Sequence, residues 1–101
     1  MIQIIQSETF NKWAKNLRDP QAQALVASRL LRLSQGMAND INALGGGLFE
    51  LRLHAGPGYR IYFIREGTTV VVLLSGGTKG TPARDILKAK HLAHQWRSHH
   101  D

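Results

Sequence analysis

The hydrophobic period changes in the middle of this chain, and that change fixes its class. Between Phe10 and Met37 the apolar residues recur at helical spacing, whereas from Phe49 to Leu53 they alternate as in a strand. Gly45-Gly46-Gly47 marks the point of change. Phe10, Trp13, Ala14 and Leu17 fall at i, i+3, i+4 and i+7, one face of a helix that Ser7 would cap and Glu8 would favour in its first turn. Asp19-Pro20 ends that helix and starts another, because Asp caps and Pro suits the first helical position. The second helix carries a seam of Ala22, Val26, Leu30, Leu33 and Met37, weakened near Gly36. So short a joint predicts an antiparallel helical hairpin.

Residues 38–47 read as a polar, Gly-rich connection. Beyond it, Phe49, Leu51 and Leu53 alternate with Glu50, Arg52 and His54, which predicts a strand with one buried and one wet face. Ala55-Gly56-Pro57-Gly58 is a turn by composition, Tyr59 to Ile64 a second strand, and Glu66-Gly67 a further turn. Val70 to Leu74 is apolar on both faces and should be covered on both. Ser75 to Thr81 reads as a Gly-rich loop carrying Lys79, and a last helix runs from Pro82 to the mid-90s with Ile86, Ala89, Ala93 and Trp96 inward. With a short strand at Ile2, Ile4 and Ile5, the order is β–α–α–β–β–β–α. This is an α+β fold whose helical hairpin and C-terminal helix pack on a small antiparallel sheet.

At 101 residues the chain is expected to form one domain, 1–97, with residues 98–101 as a fraying tail. It has no cysteine, which excludes a disulfide framework, a Cys zinc site and thiol chemistry. No apolar run approaches a membrane span and no signal peptide is evident, so a cytoplasmic protein is expected. Its charge is uneven. Five bases and four acids precede Arg52, whereas eight bases and three acids follow from Arg52 onward. That basic half suits a polyanion.

Chemistry concentrates on the charged face of the first hairpin. A three-residue loop at 55–57 would set Arg52 opposite Arg60; a five-residue loop at 55–59 would set His54 opposite Arg60. A four-residue loop would turn Arg60 into the core, where an unpaired guanidinium is costly. Either odd loop gathers Glu50, Arg52, His54 and Arg60 on one face. Gly76-Gly77-Thr78-Lys79-Gly80-Thr81 lacks the spacing of a nucleotide-binding P-loop, though its lysine supplies a point charge for phosphate. His91 and His94 lack the partners of a metal motif, so no metal and no cofactor is expected. Trp13 and Trp96 sit at core spacing.

ELRLHAGPGYRIYF followed by VVLLSGGTKGTPARDILKAKHLA, with the F-x-x-W of the first helix, resembles the RelE/ParE superfamily of toxins from type II toxin–antitoxin modules. Within it, the chain looks most like the addiction-module killer group, which is RelE/HigB-like. The resemblance spans about Phe10 to Trp96. It implies the fold order above and a ribosome-dependent mRNA interferase, a metal-independent endoribonuclease that blocks translation. It also implies neutralisation by a cognate antitoxin from an adjacent gene, with the ribosome and mRNA as the other partners. DNA binding would belong to the antitoxin. By position, Arg52, Arg60 and Lys79 match the basic sites of the RelE-like pattern, while Glu50 stands where the best-known ribosome-dependent members carry lysine. Glu50 and His54 are the alternative general bases. Arg84, Lys88, Lys90 and Tyr62 are the expected RNA contacts. The same superfamily also implies two other readings: a ParE-like inhibitor of gyrase, and an inactive partner-binding module.

Overall fold

The computed structural model describes residues 1–100. Eight elements follow in chain order: β1 (Gln3–Gln6), α1 (Glu8–Lys15), α2 (Pro20–Ser34), β2 (Ile41–Gly45), β3 (Leu48–Leu53), β4 (Tyr59–Glu66), β5 (Val70–Thr78) and α3 (Pro82–His100). The five strands form one sheet in the order β1-β5-β4-β3-β2. The helical hairpin carries the chain from one sheet edge to the other, and three hairpins then return it to the start. The return leaves β1 parallel to β5, so the sheet is mixed rather than wholly antiparallel.

The helix starts are as the sequence predicts. Ser7 Oγ accepts from the Phe10 N–H at 3.1 Å and also donates to the Leu74 carbonyl at 2.9 Å, tying α1 to β5. Asp19 Oδ1 accepts from the Gln21 N–H at 2.9 Å, with Pro20 opening α2. Each sheet face carries its own core. Phe10, Val26 and Leu33 of the hairpin pack on Leu51, Leu53, Ile61, Phe63, Val71 and Leu73. Ala89 and Ala93 of α3 pack on Leu48, Tyr62, Ile64, Val72 and Leu74, with Ile86 and Trp96 alongside. β5 is covered on both faces, which explains its unbroken apolar run.

Four expectations change. Met37 leaves the helical seam and is exposed, because α2 ends at Ser34. There Gly36 adopts φ 73° and the Met37 N–H reaches back to the Arg32 carbonyl at 2.9 Å, a left-handed cap that suits glycine. The supposed loop at 38–47 contains β2, an edge strand that pairs with β3 around Gly46-Gly47, both at positive φ. β5 continues through Ser75, Gly76, Gly77 and Thr78, where a loop was expected. Finally, α3 carries the helix through Ser98, His99 and His100, where a tail was expected; Asp101 lies outside the described residues.

Candidate active site

Strand register builds the site. Arg52 pairs with Arg60 and Glu50 with Tyr62 across β3 and β4, so the turn is the odd one that sets the two arginines face to face. Two guanidiniums directly opposite each other repel. The carboxylate two residues along resolves the conflict. Arg52 Nε donates to Glu50 Oε1 at 2.7 Å, and Arg60 Nη1 lies 3.6 Å from Glu50 Oε2. Glu50 itself is only 1% exposed, whereas the Arg52 and Arg60 side chains are 43% and 17% exposed. The carboxylate is therefore a buried counter-charge beneath two cations that reach the surface. The wet face expected for β3 is wet only at its Arg52–His54 end; α3 covers the rest.

Arg52, His54, Tyr59, Arg60 and Lys79 line a cleft of about 200 Å³ at that open end. Lys79 reaches it because the Lys79 N–H donates to the Gly58 carbonyl at 2.8 Å and the lysine stem lies along Gly58, where a Cβ would crowd it. His54 is held from the other side: its Nε2 lies 3.7 Å from Asp40 Oδ2, which also lies 3.5 Å from Arg29 Nη2. Asp40 stands at φ 61°, a left-handed conformation that Asp tolerates, and its carbonyl accepts from the Arg52 N–H at 3.0 Å. Nothing in the composition of residues 38–47 signalled this aspartate as the partner of His54.

The remaining expected residues do not assemble with these. Tyr62 is fully buried under α3, out of reach of a polyanion on the surface. Burial pushes its phenol pKa up, the Glu50 and Asp85 carboxylates push the same way, and Arg60 opposes them. Arg84 is exposed and lies 3.8 Å from Asp85. Lys88 and Lys90 leave α3 on different sides: Lys88 toward α1, Lys90 toward the β2–β3 turn. Arg65 lies over the Phe49 ring at 4.8 Å, and Arg97 packs against Gly47. The basic half of the chain thus does not form one continuous face. His91 and His94 are exposed on α3, and no group of three or more potential metal ligands forms among the described residues. No described helix is long and apolar enough to cross a membrane.

Sequence reasoning missed the role of Gly76 and Gly77. They sit in a strand, where glycine marks close approach. A Cβ on Gly76 would enter the Trp13 indole of α1, and one on Gly77 would enter the Asp85 carboxylate of α3. Asp85 in turn accepts from Thr81 Oγ1 at 2.7 Å, which fixes the first turn of α3 against β5 beside Arg60's strand partner Gly77.

Comparison with known proteins bears on the family and the fold. The family model described as phage derived protein Gp49-like (DUF891) matches residues 9–94. An uncharacterized protein of Haemophilus influenzae is 40% identical over 94 residues, covering 93% of this chain and 95% of the relative. Among solved structures, a mutant E. coli toxin RelE in the free state superposes with a TM-score of 0.71 at 14% identity, covering 89% of this chain and 95% of that one. A chain of the intact E. coli RelBE toxin–antitoxin complex gives 0.64 at 15% identity, covering 77% and 96%. The Mycobacterium tuberculosis RelBE2 toxin–antitoxin complex gives 0.63 at 22%, covering 77% and 98%. The resemblance seen in the sequence thus extends to the whole architecture, and the chain belongs to the phage-derived Gp49-like family, built on the RelE toxin fold.

Proposed function

We propose that this protein is the toxin of a type II toxin–antitoxin module and acts as a ribosome-dependent, metal-independent mRNA endonuclease. The observation that carries this reading is the opposed pair Arg52 and Arg60, anchored on buried Glu50 and opening with Lys79 and His54 into one cleft. The RelE fold and the toxin–antitoxin complexes among the solved structures support it.

The cleft suits transesterification of an RNA phosphodiester. The ribose 2′-oxygen attacks phosphorus and loses its proton to a base; the P–O5′ bond breaks and the 5′-oxygen takes up a proton. The products are a 2′,3′-cyclic phosphate and a 5′-hydroxyl. Arg60 would clamp the pentavalent phosphorane, because a guanidinium binds two phosphate oxygens at once. Arg52 and Lys79 add charge to the flanking oxygens. Of the two bases the sequence offers, the geometry favours His54. Glu50 is buried and its oxygens face the two arginines, whereas the His54 ring lines the cleft with Asp40 behind it.

Neutralisation follows from the same charge. An acidic, partly disordered antitoxin segment would cover the cationic cleft. Inducing the protein with and without the neighbouring gene, and mapping RNA ends, tests the proposal. Cuts inside translated codons, suppressed by the neighbour and abolished by Arg60→Ala, are the expected result. An SOS response without mRNA cleavage would replace this reading with gyrase inhibition.

A further inference from the structure

A second basic cleft lies next to the first, and the proposed reaction does not use it. It measures about 390 Å³ and is lined by Thr9, Lys12, Trp13 and Asn16 of α1, Ser75 and Gly76 of β5, and Lys88 of α3. Its position is set by the sheet. β1 pairs with β5 only as far as Leu73, so no strand covers the outer edge of β5 from Leu74 onward. The helices on the two faces, α1 and α3, flank that bare edge, and each contributes a lysine.

Three features give the cleft a ligand chemistry. First, Ser75 is 2% exposed and its Oγ has no hydrogen-bond partner. A buried hydroxyl left unpaired costs free energy, and turning the Ser75 side chain about χ1 toward the cleft would let a bound acceptor recover it. Second, the cations are lysines from separate helices, point charges that can flank a phosphate from two sides. Lys12 lies 3.5 Å from Glu8, but both side chains are mostly exposed, and such a pair is weak enough to yield to a phosphate. Third, the Trp13 indole walls the cleft and meets Tyr59 edge-on, with ring centroids 6.2 Å apart, while Tyr59 lines the first cleft. The two clefts therefore share an aromatic partition.

We propose that this α1–α3 cleft is a second subsite for single-stranded RNA. It would hold the phosphate of a nucleotide neighbouring the scissile one between Lys12 and Lys88, with Ser75 Oγ donating to it and the Trp13 ring beside the base. The inference rests on the endonuclease reading for the identity of the polyanion, and it adds a specific second contact. Lysine plus an aromatic wall is the usual composition of sequence-tolerant single-strand binding. It also gives Lys88, unlike Lys90, a defined role.

The test uses 2′-O-methyl oligonucleotides, which cannot be cleaved, titrated into the wild-type protein and the Lys12→Ala/Lys88→Ala double variant. For wild type, a tetranucleotide should bind about tenfold or more tighter than a dinucleotide and quench Trp13 fluorescence. The double variant should bind the dinucleotide as wild type does and lose the tetranucleotide gain. Its salt slope should fall by about 0.7, the share of one single-strand phosphate. Ser75→Ala should lose part of the gain without loss of thermal stability. A tetranucleotide gain that survives in the double variant overturns the proposal. So does a variant that loses binding of a glutamate-rich peptide but keeps its RNA affinity, which would assign the cleft to an acidic protein. Ribosomal mRNA cleavage by wild type is scored separately. Failure there removes the endonuclease reading, whereas failure of the oligonucleotide gain alone removes only this subsite.

Discussion

Glu50→Gln separates an anchor from a general base. The substitution keeps the shape of the side chain and an acceptor for Arg52, but removes the charge that both arginines share. Stripping one partner from a fully buried ion pair costs about 3–5 kcal/mol. Here the arginines are partly solvated, and the amide retains one hydrogen bond, so the loss should be nearer 2 kcal/mol, the scale of a charge-assisted bond. For a chain of about 100 residues each kcal/mol moves Tm by roughly 4–8 °C, which predicts a fall of the order of 10 °C. Arg52→Gln in the Glu50→Gln background should cost little more, giving a coupling of about 1–2 kcal/mol in a double-mutant cycle. The assays are thermal unfolding by circular dichroism and single-turnover cleavage on programmed ribosomes. An anchor predicts lost stability, strong coupling to Arg52 and partial activity. A variant with wild-type Tm, additive costs and a 100- to 10,000-fold loss of rate, about what a missing general base gives, would refute the anchor and restore Glu50 as the base.

Other expectations follow from single contacts. Arg60→Ala should lower the cleavage rate roughly 100- to 1,000-fold, the usual effect of deleting one oxyanion-type donor, while antitoxin capture in a pull-down persists. Gly76→Ala should destabilise by about 1–3 kcal/mol in urea unfolding, because the new methyl enters the Trp13 indole. Ser7→Ala should cost about 1–2 kcal/mol, since the hydroxyl both caps α1 and bonds to Leu74. Tyr62→Phe should be close to neutral near neutral pH, because the buried hydroxyl has only a weak hydrogen-bonding interaction, with Arg60. Tyr62 has a raised pKa in the fold, so its neutral form is favoured there. Its contribution is intact below the unfolded value near 10 and is lost as pH climbs from there through the folded value. Tyr62→Phe should therefore flatten the alkaline fall in Tm; an unchanged alkaline profile would remove Tyr62 as its source.

The helical hairpin was legible because its signals are local. Ser7, Asp19 and Pro20 act within three residues of where they stand, and the seam of Ala22, Val26 and Leu33 needs no partner to be seen. The opposed arginines were legible to within two registers, because a buried Arg60 was too costly to accept. What escaped depended on partners distant in sequence. β2 hides because its bulge between Ala43 and Gly45 breaks the alternation. The burial of Glu50 and Tyr62 is decided by α3, which begins more than twenty residues after Glu50. Gly76 and Gly77 read as a loop because glycine signals both turns and close packing, and only the approach of Trp13 and Asp85 tells the two apart.

That glycine pair also sets the thickness of the molecule at its working end. Adjacent residues of a strand face opposite ways, so Gly76 admits one layer and Gly77 the other. The helical hairpin and the C-terminal helix are brought close to the sheet at neighbouring backbone positions. Any side chain added at either position spreads one layer, and the strand between them would transmit that shift toward Arg60 and Lys79. The strands that carry the cleft residues are also the middle of the sheet that both layers pack on. The chain's tolerance for sequence drift should therefore be lowest at two residues that carry no functional group at all.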